Sequence, residues 1–335
     1  MSFLYVTEPD CKVYFHENQI VMEDSNGLKT MLPIEILEGV ILIGNANVSS
    51  SCQRELLRRG LPVTYLATNG QYYGRLESTK HINIERQRSQ FRLGDDTVFC
   101  LTFARKIIEA KTHNQIVILR RYNRDKAKES VKNCLHDMEL VQKKVTSANS
   151  LEQLMGYEGN CAKLYFKGLS QLVHPDFPFS GRNKQPPRDP FNSLLSFGYT
   201  LLLYDMYGAI VNKGLHPYAG FLHQDRRGHP ALGSDLIEEW RAVIVDALVM
   251  SLLNQGTFSS EDFTQADETG GVYLNKQASK IFLKEYQKKL RVQTSYLGTT
   301  VEKMSFRGAM QYQVNALTKA IEQNDLELYQ PFRIR

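Results

Sequence analysis

The chain has 335 residues, of which 42% are hydrophobic and 23% are charged, with a net charge of +5. These fractions are typical of globular proteins and exclude a disordered chain, while the length corresponds to about two domains. The segment MSFLYVTEPD has neither a basic start nor a long apolar run, so we expect no signal peptide. The most apolar stretch, residues 193–211, contains Asp205 and several hydroxyl groups, which favours a buried helix over a membrane span.

Five cysteines are scattered through the sequence without a CxxC pair. They are Cys11, Cys52, Cys100, Cys134 and Cys161. An odd number at wide spacing argues against a disulfide framework and against a thiolate zinc site. A reducing cytoplasm is therefore the simplest location for the protein.

The positive charge is concentrated in one segment of the chain. Residues 75–132 carry fourteen Lys and Arg against seven Asp and Glu, whereas residues 1–74 carry five against eight. Such a basic segment favours a polyanionic partner, although a solvated helical face has the same composition.

The first part of the chain, residues 1–78, has the pattern of a small β-domain. Short runs rich in β-branched and aromatic residues are separated by turn residues, including Ser25-Asn26-Gly27 and Asn69-Gly70. The predicted strands cover residues 3–7, 12–16, 19–23 and 40–43, and the segments LPVTYLA and QYYGRL on either side of Asn69-Gly70. One helix is predicted over residues 50–59, ending at Gly60.

The rest of the chain has helical periodicity after a polar, basic linker predicted at residues 79–93. The candidate helices cover residues 95–111, 115–144, 151–170, 190–212, 234–254, 273–290 and 301–322. Ser150 with Gln153 forms a capping box, and Asp189 precedes a proline at the first helical position. The predicted fold class is therefore α+β, with a small N-terminal β-sheet domain followed by a larger all-α domain at residues 94–335.

One carboxylate interrupts an apolar helical stripe. The stripe over residues 151–170 consists of Leu151, Leu154, Cys161, Ala162 and Tyr165, and Glu158 falls among them. A carboxylate on a buried face is costly unless it is paired or binds a metal. Glu158 is therefore either an internal partner of an Arg or a Tyr, or a metal ligand.

A second group of candidates lies where a long loop, residues 215–233, precedes a helix predicted to begin at Ser234. Asp235 and Glu238 would share a face at the start of that helix, where acids also complement the helix dipole. Complementing the dipole is the role we expect for Glu239. His223 lies in the loop, either as a ligand held by the flanking elements or as an ordinary surface residue.

These candidates together could form a metal site. It would have one imidazole, from His223, and two or three carboxylates, from Glu158 and from Asp235, Glu238 or both. Oxygen ligands with one histidine suit Mg²⁺ or Mn²⁺, although ligand type alone also permits Zn²⁺. The spacing does not establish the site, because 65 residues separate Glu158 from His223.

Three basic clusters are compatible with a phosphate ligand. They are a predicted helix over residues 119–132 with Arg120, Arg121 and Arg124; a loop with Arg182, Lys184 and Arg188; and a helical ridge of Lys276, Lys280, Lys284 and Lys288 opposite Phe282, Leu283, Tyr286 and Leu290. Each cluster alone is compatible with a solvated surface. Three of them in the helical part favour nucleic acid.

Three segments in order carry a family resemblance. They are YEGNCAKLYF (157–166), GRNKQPPRDPFNSLLSFGYTLLL (181–203) and GFLHQDRRGHPALGSDLIEEWR (220–241). Together they resemble the CRISPR-associated DNA endonuclease/integrase of the spacer-acquisition module, the family often called Cas-one. The strong match covers about residues 157–246. Ala242 and His229 depart from the family's usual proline and basic residue, which affects fine DNA contacts near the loop rather than the proposed ligands.

The resemblance implies that Glu158, His223 and Glu238 are the metal ligands and catalytic residues, with Asp235 as an outer residue that orients a ligand or as an alternate ligand. It implies a Mg²⁺- or Mn²⁺-dependent endonuclease and integrase. Such an enzyme would join the 3′-hydroxyl ends of a short DNA duplex to a CRISPR repeat array by transesterification, in prokaryotic antiviral defence.

The resemblance also implies a set of partners. They are double-stranded DNA, a second copy of the chain bound through the β-domain, and a small CRISPR-associated partner protein of the adaptation complex. We expect a cytoplasmic location and no membrane association.

Two other functions stay open at this point. One is a different divalent-metal phosphoesterase acting on RNA or nucleotides with the same ligands. The other is a non-catalytic nucleic-acid-binding module in which Glu158 and Asp235 make only internal ion pairs. Metal dependence of DNA joining separates the integrase from the module, and a preference for branched or repeat DNA over RNA separates it from the general phosphoesterase.

Overall fold

A computed structural model describes residues 2–68, 70–266, 270–297 and 303–335 and divides the chain into two compact units, Met1–Ile82 and Asn83–Arg335. Most of the linker predicted at residues 79–93 is instead a helix, α2, over Ile84–Gly94. The Asn83 side chain caps this helix, and the Gln90 amide donates to the carbonyl oxygens of His216 and Ala219. The polar composition that predicts a linker therefore belongs to the exposed face of a helix of the larger unit.

The smaller unit contains two four-stranded sheets and one helix. Its elements are β1 (Ser2–Val6), β2 (Cys11–His16), β3 (Gln19–Glu23), β4 (Lys29–Pro33), β5 (Leu37–Ile43), β6 (Ala46–Val48), α1 (Ser50–Arg59), β7 (Val63–Leu66) and β8 (Tyr72–Leu76). The strand orders are β1-β5-β7-β8 and β4-β3-β2-β6. Alternating apolar side chains from both sheets, with Cys52 and Leu56 of α1, form its core.

The predicted turns and cap of this unit are confirmed where the structure describes them. The Asp24 carboxylate accepts from the backbone N–H groups of Asn26 and Leu28, and Gly27 has a φ of +80° between β3 and β4. Helix α1 ends at Gly60, whose φ of +75° is costly for residues other than glycine. Asn69 of the second predicted turn lies outside the described residues.

The larger unit is mostly helical, as predicted. Its helices are α2, α3 (Thr97–Asn123), α4 (Glu129–Val145), α5 (Leu151–Ser170), α6 (Pro190–Asn212), α7 (Ala231–Trp240), a π-helical segment (Arg241–Asp246), α8 (Ala247–Asn254), α9 (Lys276–Arg291) and α10 (Phe306–Gln323). The larger unit also contains short two-stranded sheets, which were not predicted from the sequence. In these sheets, β9 (Phe263–Ala266) pairs with β10 (Gly271–Leu274), β11 (Gln293–Thr294) with β13 (Met304–Ser305), and β12 (Tyr296–Leu297) with β14 (Arg333–Ile334). Residues 301 and 302 of the last predicted helix lie outside the described residues.

The break predicted between the helices over residues 95–111 and 115–144 is wrong. Helix α3 continues through residues 112–114, and the chain leaves helical structure after Asn123 instead. Asn114 falls in the predicted break but is buried in the fold, where its amide donates to the carbonyls of Glu239 and Phe332. Residues 119–132 therefore form the end of α3, a turn in which Ala127 has a φ of +49°, and the start of α4, rather than one basic helix.

Helix α6 is the apolar helix predicted for residues 190–212. It is long and apolar enough to cross a membrane, but 67% of its most apolar window is buried inside the fold. All five cysteines lie in the described residues, and each is buried and free, as expected for a chain without a disulfide framework.

Candidate active site

The three ligands predicted from the sequence line one cavity of the larger unit, with a volume of about 690 Å³. Helix α5 supplies Glu158, the loop between α6 and α7 supplies His223, and α7 supplies Glu238. The cavity is also lined by basic side chains, which are Lys111, Lys163, Lys167, Arg182, Lys184 and Arg241. The fold thus brings distant acidic residues together in a cationic surrounding.

Lys111 of α3 joins two of the predicted ligands. Its Nζ pairs with Oε1 of Glu158 and lies 2.7 Å from Oε2 of Glu238. Burial acts to lower the pKa of Lys111, but the charges of Glu238 and Glu158 outweigh this effect and raise the pKa. The two carboxylates therefore share one charged ammonium group.

Lys111 was not predicted as a site residue, although the sequence contains a signal for it. It follows Ile107 and Ile108 at helical spacing on the buried side of α3, so it interrupts an apolar stripe as Glu158 does. All three residues lie within the helix predicted over residues 95–111, so the signal was available from the sequence alone.

Glu238 lies between two cations and is held in its ionised form. Nε of Arg241 is 3.0 Å from Oε1 of Glu238, on the other side of the carboxylate from Lys111. Burial acts to raise the pKa of Glu238, but the charges of Arg241 and Lys111 dominate and lower it to about 2. Glu238 is therefore a carboxylate at neutral pH.

Asp235 fixes the loop and the ring of His223. Its Oδ2 accepts from the backbone N–H groups of Phe221 and Leu222, at 2.7 and 3.0 Å. Its Oδ1 accepts from the backbone N–H of His223 at 3.0 Å and lies 2.7 Å from Nδ1 of the same residue. Asp235 is fully buried with both oxygens occupied, which suits an orienting role rather than that of an alternate ligand.

The contact with Asp235 determines which ring nitrogen of His223 can bind a ligand. A proton on Nδ1 donates to the carboxylate, which leaves Nε2 with its lone pair. Burial acts to lower the pKa of His223, but the hydrogen bond and charge of Asp235 outweigh it and raise the pKa above its ordinary value.

The start of α7 corrects the prediction for the acidic residues of this helix. The helix begins at Ala231 instead of Ser234, so its first turn contains no acid. Glu239, expected to complement the helix dipole, is fully buried, and its carboxylate accepts from the Tyr329 hydroxyl and the Phe332 backbone N–H. Burial raises the pKa of Glu239 to about 7. Its role is to anchor the C-terminal segment.

Another buried acid, Asp246, supports the cavity wall and was not predicted as a site residue from the sequence. It ends the π-helical segment, and its carboxylate accepts from the hydroxyl groups of Tyr199 at 2.5 Å and Tyr165 at 3.0 Å. Burial raises the pKa of Asp246 to about 6. The guanidinium of Arg241 lies over the Tyr199 ring, 4.6 Å from its centroid. Insertions of π-helix are frequent at functional sites.

Of the three predicted basic clusters, the second contributes Arg182 and Lys184 to the cavity lining, and Arg188 is not among the lining residues. Arg182 is held by hydrogen bonds to the side chains of Asn192 and Ser196. The ridge of lysines from Lys276 to Lys288 lies on the opposite side of α9 from the buried Phe282, Leu283, Tyr286 and Leu290, as predicted.

The arginines of the first cluster have contacts within the chain. Arg120 pairs with Glu139 of α4, a guanidinium nitrogen of Arg121 donates to the Arg335 carbonyl, and Arg124 pairs with the adjacent Asp125. Arg124 has 80% of its side chain exposed. The ion pairs of Arg120 and Arg124 are exposed and therefore weak, so they leave both arginines able to bind phosphate.

The donor set fits a divalent cation, with one adjustment. In the part of the chain that the structure describes, no three His, Cys, Asp or Glu side chains are close enough to hold a metal ion as they stand. The ammonium of Lys111 lies between Glu158 and Glu238, as a bound cation would. Two carboxylates and an imidazole nitrogen suit Mg²⁺ or Mn²⁺ once that ammonium withdraws.

Two solved structures have a closely similar fold. The Cas1 protein TM1797 from Thermotoga maritima superimposes with a TM-score of 0.82 at 22% identity, over 96% of this chain and 97% of that one. A casposase bound to its integration product superimposes with a TM-score of 0.85, also at 22% identity, over 97% of this chain and 92% of that one. At these identities the similarity shows the fold.

Sequence comparisons extend over nearly the whole chain. A "CRISPR-associated endonuclease Cas1" of Mycobacterium tuberculosis is 32% identical over 323 residues, covering 96% of this chain and 94% of the relative. A "CRISPR-associated endonuclease Cas1 3" of Thermus thermophilus is 33% identical over 339 residues, covering 100% and 98%. The family model for the CRISPR associated protein Cas1 matches residues 4–288. The chain therefore belongs to the CRISPR-associated Cas1 family.

Proposed function

We propose that the chain is a metal-dependent DNA endonuclease and integrase, which inserts short duplexes into a CRISPR repeat array through attack by their 3′-hydroxyl groups. The observation that carries the proposal is that Glu158, His223 and Glu238 line one cavity together with six basic side chains. Family membership supports it, since the matching relatives are named endonucleases. A casposase captured with an integration product has a similar fold, which also supports it.

The cavity would hold Mg²⁺ or Mn²⁺ through Glu158, Glu238 and Nε2 of His223. When bound, such an ion polarises the scissile phosphate and neutralises charge that develops on its oxygens. Asp235 keeps the His223 ring in the required orientation and tautomer. Asp246 and Tyr199 hold the wall against which Arg241 packs.

The basic residues of the cavity would bind the DNA backbone. Lys163 and Lys167 of α5 and Arg182 and Lys184 of the loop before α6 lie on the same cavity as the proposed ligands. Cationic side chains at this position attract phosphates without reading the bases, so they position the strand rather than select a sequence.

The proposed partners are double-stranded DNA, a second copy of the chain bound through the β-sheet unit, and a small CRISPR-associated protein. A solved "Cas6-RT-Cas1--Cas2 complex" supports the last of these by its similar fold. It has a TM-score of 0.83 at 24% identity, over 99% of this chain and 36% of that longer chain. The proposed location is the prokaryotic cytoplasm.

One observation favours a second candidate function, a non-catalytic DNA-binding module. Glu158 makes an internal ion pair with Lys111, as a purely structural carboxylate would. The decisive experiment is joining of a labelled duplex to a plasmid carrying a repeat array, with and without a chelator. Joining that stops with EDTA and returns with Mn²⁺ supports the integrase, whereas DNA binding without any metal-dependent chemistry supports the module. Equal cleavage of RNA would favour a general phosphoesterase.

We expect Mn²⁺ binding to weaken as the pH falls, because His223 must be neutral to bind a metal. Asp235 and Glu238 raise the pKa of His223, against the effects of burial and Arg241, so the loss begins above its ordinary value of 6.5. Below that pKa the affinity should fall about tenfold per pH unit, as expected for competition with one proton. Glu238 does not contribute in this range, since its pKa is about 2.

The measurement for the pH dependence is calorimetric titration with Mn²⁺ between about pH 6 and about pH 8. Unfolding in denaturant, recorded at the same pH values, serves as the control for a change of structure. An affinity that does not vary with pH would exclude His223 as a ligand.

Replacing Arg120, Arg121 and Arg124 with alanine should weaken binding to all duplex sequences alike, because arginines that bind phosphates do not read bases. The slope of log affinity against log salt concentration should shrink by about 0.9 for each DNA phosphate that the variant no longer binds. A salt titration of duplex binding measures both effects. The Glu139→Ala variant is a matched control, since it frees Arg120 from its ion pair without removing a cation. An unchanged slope together with an unchanged affinity would show that these arginines do not contact DNA.

A further inference from the structure

Lys111 is the cation that contacts both proposed carboxylate ligands. Its Nζ pairs with Glu158 and lies 2.7 Å from Glu238, and 9% of its side chain is exposed. Arg241, the other cation beside the pair, is 3.0 Å from Glu238 and is stacked on the Tyr199 ring. The two cations thus differ in how firmly they are held and in which carboxylates they touch.

The side chain of Lys111 can leave this position without a change of fold. A lysine carries its charge on a flexible four-carbon stem, whereas the planar guanidinium of Arg241 is fixed by stacking. Lys111 itself lines the cavity of about 690 Å³, which provides space for another rotamer. Helix α3, which carries Lys111, is anchored independently by Asn114, whose amide donates to the carbonyls of Glu239 and Phe332.

We propose that Lys111 is an exchangeable cation of the metal site: its ammonium holds Glu158 and Glu238 together in the metal-free protein and leaves the space between them when a divalent metal binds. The inference rests on the metal site of the proposed function. It makes Lys111 a positioning residue, which acts through the two carboxylates and stabilises them while no metal is bound.

The exchange has a direct consequence for metal affinity. An ammonium group and a divalent ion repel each other strongly in a buried site, so both cannot lie between the same two carboxylates. Metal binding must break two ion pairs of Lys111, and the wild-type affinity is lowered by that cost. A neutral side chain at this position should therefore bind the metal more tightly but leave the metal-free protein less stable, since two buried carboxylates then lack a counter-ion.

The test compares Lys111→Met with wild type, both as the full chain without DNA. We expect calorimetry to show Mn²⁺ binding at least about tenfold tighter for Lys111→Met, since methionine is similar in length and uncharged. The melting temperature without metal should be lower, and its increase on adding Mn²⁺ should be larger than in wild type. The Lys111→Arg variant, which keeps the charge, should not bind Mn²⁺ more tightly than wild type.

Lys167→Met is the matched control. Lys167 lines the same cavity, so its replacement removes the same charge from the surroundings but leaves the Lys111 ion pairs in place. We expect its Mn²⁺ affinity to change by less than about threefold, because a more distant charge is screened. A gain as large as that of Lys111→Met would show that overall cavity charge, rather than exchange at one position, controls the affinity, and would overturn the proposal.

A second measurement uses the wild-type protein and so does not depend on the folding of a variant. Amine acetylation followed by peptide mass spectrometry should modify Lys111 slowly in the metal-free protein and faster with saturating Mn²⁺, because the exchanged ammonium is then free of both carboxylates. Reactivity that is unchanged or lower with Mn²⁺ would overturn the proposal.

The outcomes separate this inference from the proposed function. Mn²⁺ binding that needs Glu158 but is equal or weaker in Lys111→Met overturns the exchange and leaves the metal site standing. Absence of Mn²⁺ binding in wild type, Lys111→Met and Glu158→Gln alike overturns the metal site and the exchange with it. Binding that is tighter in Lys111→Met than in wild type, and that the additional Glu158→Gln substitution removes, supports both.

Discussion

Replacing Glu158 with glutamine is expected to abolish strand joining and cleavage while duplex binding stays close to that of the wild-type protein. The substitution keeps the size of the side chain but removes the charge that a divalent metal requires and that Lys111 pairs with. We expect the joining rate to fall by more than about 100-fold. Replacing a residue that only hydrogen-bonds to a metal ligand typically lowers activity by about 10–100-fold, and loss of a ligand itself should cost more. DNA binding should persist because the residues proposed to bind phosphates are other side chains of the cavity.

Glu152→Gln is the matched control for this prediction. Glu152 lies on the same helix, α5, where it is exposed in the first turn. An integration assay and a duplex-binding assay run on wild type and both variants separate loss of chemistry from loss of binding. A Glu158→Gln protein that joins DNA at a near wild-type rate would contradict the metal mechanism.

Replacing Asp235 with asparagine is expected to weaken metal binding through His223. Four donors, three backbone N–H groups and Nδ1 of His223, meet the two oxygens of this fully buried carboxylate. An amide offers one oxygen in place of two, and its NH₂ group faces a donor, so the loop loses hydrogen bonds and the His223 ring loses its charged partner. We expect a 10–100-fold loss of Mn²⁺ affinity and a loss of about 1–3 kcal/mol of unfolding free energy.

Calorimetric Mn²⁺ titration and unfolding in denaturant measure these two effects. The control is Asp225→Asn, an exposed acid of the same loop. If Asp235→Asn binds Mn²⁺ as tightly as wild type, the ring orientation of His223 does not depend on Asp235, and the proposed role of the carboxylate is wrong.

Most of the β-sheet unit was predictable because its signals are local, although the strands β4 and β6 were not predicted. The turn at Asp24–Leu28 depends on one carboxylate and one glycine that are close together in sequence, and the end of α1 depends on Gly60. Strand alternation between such turns is fixed by the period of two in side-chain direction. None of these features requires knowledge of distant contacts.

The parts of the site that were not predicted depend on contacts between distant segments. Asn114 falls in the break predicted between two helices, but its hydrogen-bond partners are more than a hundred residues away in the sequence, and α3 continues through it. Asp246 is stabilised by Tyr165 and Tyr199, which come from two other helices. Glu158 was found because a charge in an apolar stripe is a local signal, and its role as a ligand rested on the family resemblance. Lys111 gives the same local signal within the helix predicted over residues 95–111, but its contacts with Glu158 and Glu238 are what place it in the site.

The most direct test of the metal site is anomalous diffraction from a crystal of the protein soaked with Mn²⁺. The proposed ligands predict one strong peak bounded by the carboxylates of Glu158 and Glu238 and by Nε2 of His223, with the Lys111 ammonium no longer between the carboxylates. A crystal at saturating Mn²⁺ with no peak at this position, and with Lys111 still paired to both carboxylates, would contradict the metal site.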